Sequence, residues 1–318
     1  MPALTPTNPP PPSIGVDLGG TKVEAIVLAD DGRCLWRERV ATPAGDYHAT
    51  LACVASLVQR AERDLGVNGC SVGVGTPGTA TAAGLMKNAN STCLNGQPLQ
   101  RDLAAALGRP VRIANDANCL ALSEATDGAG AGAPVVFAAI LGTGVGAGVV
   151  VHGRQIEGPN GLAGEWGHNP LPWADPFDAP VAQCFCGQRG CIETWLSGTG
   201  MARDHAACTG EALSAKQIGE RAAQGDADCD ATLQRYEGRL ARAVAHVINL
   251  LDPHVIVLGG GVSQLDRLVV NVPQRWGEFV FSGGLKDPVH TLLRRSLHGD
   301  ASGVRGAAWL WRMPVDRR

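Results

Sequence analysis

SIGVDLGGTKVEAIVL, residues Ser13 to Leu28, and VVFAAILGTGVGAGVVV, residues Val135 to Val151, carry the same device twice. Each is an apolar run, a glycine-rich turn with one threonine, and a second apolar run. Such runs bounded by glycine predict two strands joined by a tight turn. After the first pair, Asp30-Asp31-Gly32 supplies turn chemistry and Cys34 to Val40 alternates as a third strand, giving an antiparallel meander. Helical periodicity follows over Tyr47 to Leu65, closed by Gly66, and over Pro98 to Leu107, closed by Gly108. Short strands are expected at Ser71 to Gly75 and Val111 to Ala114. After the second pair, helices are expected at Glu193 to Ala207, Ser214 to Gln224 and Ala227 to Leu251. Val255 to Leu258 reads as a buried strand, and Val304 to Trp311 as a final helix.

The chain therefore reads as two α/β units that open alike, a diverged internal duplication. The expected division is a proline-rich tail at 1–12, a first domain at 13–116 completed by a helix at about 300–318, and a second domain at 117–299. A hinge is expected near Asp116, with an interdomain cleft as the natural place for a small molecule.

Composition narrows the partners. The 318 residues are 45% hydrophobic with a formal net charge of -3. That balance gives no electrostatic reason to expect nucleic acid or an anionic membrane. No run reaches the roughly 18 apolar residues of a membrane span. MPALTPTNPPPPS has neither the basic start nor the apolar core of an export signal, so a cytoplasmic protein with an extended, disordered tail is expected.

Asp17-Leu18-Gly19-Gly20-Thr21-Lys22 suits either a tight hairpin or a phosphate cradle. In the second case glycines bring amides close to phosphate oxygens, and Asp17 holds Mg²⁺ directly or through water. Gly142-Thr143-Gly144-Val145-Gly146-Ala147-Gly148 repeats the pattern. It lacks the Gly-Lys-Ser/Thr of a Walker loop, and a strand rather than a Rossmann helix follows. Gly259-Gly260-Gly261 follows a strand and fits a base or ribose laid on backbone.

Asp116, in Asn115-Asp116-Ala117-Asn118, stands after a strand and at a helix start. It is either an N-cap or a general base for an attacking hydroxyl. Lys87 to Thr92, with Asn90, and Thr76-Pro77-Gly78 are polar turns that either line a sugar site or simply face solvent. Glu165 can accept two sugar hydroxyls. Cys184-Phe185-Cys186-Gly187-Gln188-Arg189-Gly190-Cys191 gives three clustered thiols, and His168 is the nearest upstream histidine. Four such ligands make a closed structural Zn²⁺ site, and a redox pair is the competing reading. The other seven of the ten cysteines are scattered singly.

Together DLGGTK, ANDANC, LGGGVS, the stretch LGTGVGAGVVVHGRQIEGPNGLAGEWGH (Leu141 to His168) and CFCGQRGCIE (Cys184 to Glu193) resemble the ROK family of sugar kinases and repressors. Within it, NANSTCLNGQPL (Asn88 to Leu99), AGEWGHNPLPW (Ala163 to Trp173) and HGDASGVRGAAWLW (His298 to Trp311) look like bacterial fructokinase that also takes mannose. The resemblance implies a ribonuclease H-like fold of the actin, Hsp70 and sugar-kinase type. It implies ATP phosphates on Gly15, Val16, Asp17, Leu18, Gly19, Gly20, Thr21 and Lys22, on Gly142 to Val149, and on Gly260 and Gly261, with Mg²⁺ near Asp17. Asp116 becomes the base. Gly78, Asn90, Asn115, Asp116, Glu165, His168 and Glu193 hold the sugar, and His168, Cys184, Cys186 and Cys191 bind zinc. Phosphorylation of fructose or mannose at C6 is the expected activity, with N-acetylglucosamine or glucose kinase as the alternative and a homodimer as the expected assembly. A repressor role would need a basic helix-turn-helix before the first glycine loop, where only the proline-rich stretch stands.

Overall fold

The computed structural model describes residues 11–285 and 287–312. The expectation for the tail at 1–12 falls almost wholly outside them. Contacts divide the chain into two units, one running to Cys119 and resuming at Gly303, the other from Leu120 to Ser302.

The first unit opens with β1 (Ser13–Leu18), β2 (Lys22–Leu28) and β3 (Cys34–Ala41), the antiparallel meander read from the sequence. Helix α1 (Tyr47–Leu65) starts where the Asp46 side chain accepts from the Ala49 amide and stops at Gly66 in the left-handed region. Then come β4 (Ser71–Thr76), the short hairpin β5 (Thr79–Ala80) and β6 (Met86–Lys87), α2 (Leu99–Leu107), β7 (Val111–Asn115) and α3, which starts at Asp116. The sheet order is β3-β2-β1-β4-β7. β4 runs parallel to both β1 and β7, with Asp17 opposite Gly75 and Thr76 opposite Asn115. Asp17, the Thr76 turn and Asn115 therefore stand at one edge of the sheet, the carboxyl ends of its parallel strands, where open α/β sheets bind ligands.

In the second unit α3 continues to Thr126, followed by β8 (Val135–Leu141), β9 (Val145–Val151), β10 (Arg154–Gln155), α4 (Ile192–Leu196), α5 (Gly198–Thr209), α6 (Ala215–Ala223), α7 (Ala227–Leu251), β11 (Val255–Gly259), α8 (Arg267–Asn271) and β12 (Leu292–Arg295). Its sheet order, β10-β9-β8-β11-β12, repeats that of the first unit, with the last three strands again parallel. The Asp226 side chain caps α7, and Leu233, Tyr236, Leu240 and Val244 on that helix are buried in the core. The sequence reads one helix over Glu193 to Ala207. The structure has two, because Ser197 leaves the helical region and its hydroxyl caps the Gly200 amide at 3.0 Å.

The last helix, α9 (Ser302–Trp309), lies on β1 and β4 of the first unit. A Cβ on Gly15 would stand 2.1 Å from Val304 O, and one on Gly73 2.0 Å from Ala307 O. Gly15 is thus a packing glycine in mid-strand, and Val16 beside it is core. Both were read as phosphate contacts; in the structure Gly15 faces α9, while Val16, on the opposite face of the strand, packs into the core of the first unit. No described helix is long and apolar enough to cross a membrane.

Candidate active site and metal centre

In the first unit, the turn between β1 and β2 is closed by the Gly19 amide donating to Lys22 O at 3.0 Å. Thr42 fixes it from outside, its hydroxyl donating to Gly19 O at 2.7 Å and its amide to Thr21 O at 3.0 Å. A cavity of about 300 Å³ opens beside the turn, lined among others by Gly20, Thr21, Thr42, Asn90 and Ser91. Ser91 Oγ is buried there without a hydrogen-bond partner among the described residues, 3.3 Å from where a Gly20 Cβ would stand. A buried hydroxyl of that kind is a donor held for something polar.

Asn115 and Gly78 are joined, Asn115 Nδ2 donating to Gly78 O at 3.2 Å. Gly78 has φ +78°, and a Cβ on it would stand 2.4 Å from Lys87 O. Ala117 N donates to Asn115 Oδ1 at 2.9 Å and to Asp116 Oδ1 at 2.8 Å. Asp116 therefore does sit at a helix start, half-buried.

Asp17 is the perturbed group of this edge. Burial first, then the negative charges of Asp116 and Glu24, raise its pKa from 3.8 to about 6. Two carboxylates set together and poorly hydrated call for a cation. Because the folded-state value is raised, the protonated form supports the fold, and this contribution is lost as pH rises from about 4 through 6. Asp17→Asn is expected to raise the stability of the ligand-free protein at pH 8 by up to about 3 kcal/mol and to flatten its rise toward pH 5. Coincident pH–stability curves for the two proteins in chemical denaturation would contradict this.

In the second unit, Gly142-Thr143-Gly144 forms the matching turn between β8 and β9, and a Cβ on Gly142 would be in open space to 3.9 Å. Gly260, at φ +82°, packs where a Cβ would stand 2.5 Å from Leu141 O, which sets the end of β11 beside this turn. Gly261 meets nothing within 4 Å. Ala147 and Gly148 lie inside β9 rather than in the loop, covered by Gly164, whose Cβ would stand 2.1 Å from Ala147 O. Ala147, Gly148 and Val149, read as part of the phosphate loop, are strand.

Gly164 and Gly167 press their segment onto β9, a Gly167 Cβ falling 2.0 Å from Val145 O. This fixes Glu165 between them and His168 directly after Gly167. His168 Nδ1 lies 3.6 Å from Cys184 Sγ, while Nε2 is 4.0 Å from Glu165 Oε2. One ring thus faces the thiols with one nitrogen and a carboxylate with the other. The ligand atoms of His168, Cys184, Cys186 and Cys191 all lie within 4.8 Å of one another, with Cys186 Sγ and Cys191 Sγ 3.6 Å apart. A tetrahedral zinc with bonds near 2.3 Å spaces its sulfur ligands by about 3.8 Å, so this donor set fits the ion. Burial, followed by hydrogen bonding to the neighbouring thiols, pushes the Cys191 thiol up to about 12. Metal binding must therefore displace protons here. Glu193 Oε2 accepts from Val145 N at 2.9 Å, which sets it against the glycine turn.

The ROK family model matches residues 13–313. The chain belongs to the ROK family. It is 41% identical over 304 residues to an N-acetyl-D-glucosamine kinase of Pectobacterium atrosepticum, covering 93% of this chain and 97% of that one. It is 43% identical over 302 residues to one of Erwinia tasmaniensis, covering 93% and 98%. Among solved structures it is similar to a ROK hexokinase from Thermus thermophilus, with a TM-score of 0.81, 32% identity and 93% and 96% of the two chains covered. The ribonuclease H-like fold of the actin, Hsp70 and sugar-kinase type is that of these ROK structures.

Within this ROK chain a larger cavity, about 400 Å³, lies among Trp173, Phe177, Arg239, Arg242 and Phe279. It includes none of the glycine turns, Asp116 or the cysteine cluster, and Arg239 and Arg242 are both salt-bridged to Asp178. The smaller cavity is the one lined by the first glycine turn and Asn90. Ser91 lies in the Lys87 to Thr92 loop read from the sequence as polar lining, whereas Thr42 was not singled out, because a lone hydroxyl residue gives no spacing signal.

Proposed function

We propose that this chain is an ATP-dependent N-acetyl-D-glucosamine kinase acting at the C6 hydroxyl. The observation that carries the reading is 41–43% identity along 93% of the chain to kinases of that name. Fructose, favoured by three short stretches, gives way as the preferred acceptor, because identity over the whole chain outweighs them.

In this reading Asp116 accepts the proton as the C6 oxygen attacks the γ-phosphorus. The new O–P bond forms as the bond to the β-phosphate oxygen breaks, releasing ADP. Amides of Gly20 and Thr21 and of Thr143 and Gly144 donate to phosphate oxygens, the Gly19 and Gly142 amides being used to close their turns. Mg²⁺ carried with ATP supplies positive charge to the phosphates, and Asp17 is the carboxylate suited to hold it. Asn90, Asn115, Glu165 and His168 position the sugar. Zinc on His168, Cys184, Cys186 and Cys191 keeps the His168 ring in place and takes no part in phosphoryl transfer.

Initial rates with ATP on N-acetylglucosamine, glucose, mannose and fructose test the choice of acceptor. The kcat/KM for N-acetylglucosamine is expected to exceed each of the others by about tenfold or more. A higher value for fructose would restore the fructokinase reading.

A further inference from the structure

The segment that follows the cysteine cluster touches every residue of the second glycine turn. Glu193 Oε2 accepts from Val145 N at 2.9 Å. Gly198 N donates to Gly142 O at 2.7 Å. Thr199 Oγ1 donates to Thr143 O at 3.1 Å and is itself paired with Ser197 Oγ at 2.9 Å. The glutamate leaves no room for a side chain on Gly144, whose Cβ would stand 2.6 Å from Oε2. These contacts are consequences of the break between α4 and α5: a helix running unbroken past Ser197 would carry the Gly198 amide into its own hydrogen-bond ladder.

We propose that Glu193 is a positioning residue for the Gly142–Val145 turn, acting with Gly198 and Thr199 as a clamp on the nucleotide loop. The proposal rests on the reading of that turn as a phosphate cradle. It assigns Glu193 a task distinct from sugar binding. A phosphate cradle works only when its amides are already aimed, because mobile backbone must be ordered at the expense of affinity. A carboxylate accepting from an amide is among the stronger hydrogen bonds, and here it holds the residue at which the turn re-enters β9. Glu193 also stands two residues after Cys191 and its Oε1 is 3.8 Å from Cys184 Sγ, so the clamp is built onto the cysteine cluster.

The test is hydrogen exchange at the Val145 amide of the full chain without ligands, together with the Kd for a non-hydrolysable ATP analogue with Mg²⁺ in the absence of sugar. Glu193→Ala is expected to speed exchange by about tenfold or more and to weaken the analogue by about fivefold. Glu193→Gln keeps an oxygen for Val145 N and is expected to stay within about twofold of wild type on both. Thr199→Val, which removes one hydroxyl only, is expected to speed exchange across the turn by a smaller factor, and it serves if Glu193→Ala does not fold. Exchange and nucleotide affinity unchanged in Glu193→Ala, with only the sugar KM raised, would overturn the proposal. If wild type binds no nucleotide while Glu193→Ala still speeds exchange, the clamp stands and the nucleotide reading of the turn falls.

Discussion

Asp116→Asn is expected to lower kcat by about 10²- to 10⁴-fold, the usual contribution of a positioned general base, with the sugar KM changed by less than about threefold. The substitution is isosteric, and an asparagine oxygen still accepts the Ala117 amide that the carboxylate accepts at 2.8 Å. The start of α3 is therefore kept, and loss of turnover cannot be ascribed to a lost cap. The structural alternative, that Asp116 is an N-cap and nothing more, makes the opposite prediction. It has Asp116→Ala reduce stability by about 1 kcal/mol and Asp116→Asn do nothing to rate. Thermal unfolding beside steady-state kinetics separates the two. A variant with wild-type kcat would remove Asp116 from the chemistry.

Removal of the metal is expected to have the next largest effect. Wild-type protein should carry one zinc per chain, and Cys191→Ala close to none. With Cys191 lost, the His168 ring is no longer fixed by its Nδ1, and the sugar KM is expected to rise by about 10- to 100-fold. Chelation of the wild type should reproduce the defect, and added zinc should reverse it in the wild type only. Affinity for zinc is expected to fall as pH falls, because a thiol pushed up to about 12 by burial must lose its proton to bind. Zinc-free wild-type protein with unchanged KM would confine the cluster to folding. Metal-free protein with a reversible disulfide between Cys186 and Cys191 would favour the redox reading instead.

The glycine hairpins, the meander and α7 were legible in the sequence because each is a local signal. Apolar runs alternate with turns, and glycines such as Gly66 and Gly108 mark helix ends within a residue. β12 was not legible. Its sequence, LLRR, is a four-residue strand in which three positions are exposed. The break at Ser197 was missed for a related reason: Ser-Gly-Thr-Gly is read as a weak helix unless the cap on Gly200 is known.

Glycines were the hardest residues to read for function. Gly15 and Gly19 are four residues apart in one motif, yet the first makes room for α9 and the second closes the turn. The same ambiguity applies to Gly148, which a phosphate loop and a crowded strand would both demand. A missing side chain permits close approach without saying to what. Thr42 and Glu193 act on turns that are distant in sequence, at separations of 23 and 48 residues, so no motif announces these contacts, although the cysteine motif does single out Glu193 itself.

Phosphorus and carbon NMR of the product formed from ATP and N-acetylglucosamine tests the central claim most directly. The account predicts ADP and a sugar whose phosphate is coupled to the C6 carbon, in equal amounts and dependent on Asp116. Phosphate on the anomeric oxygen, or no ADP from any hexose offered, would contradict it.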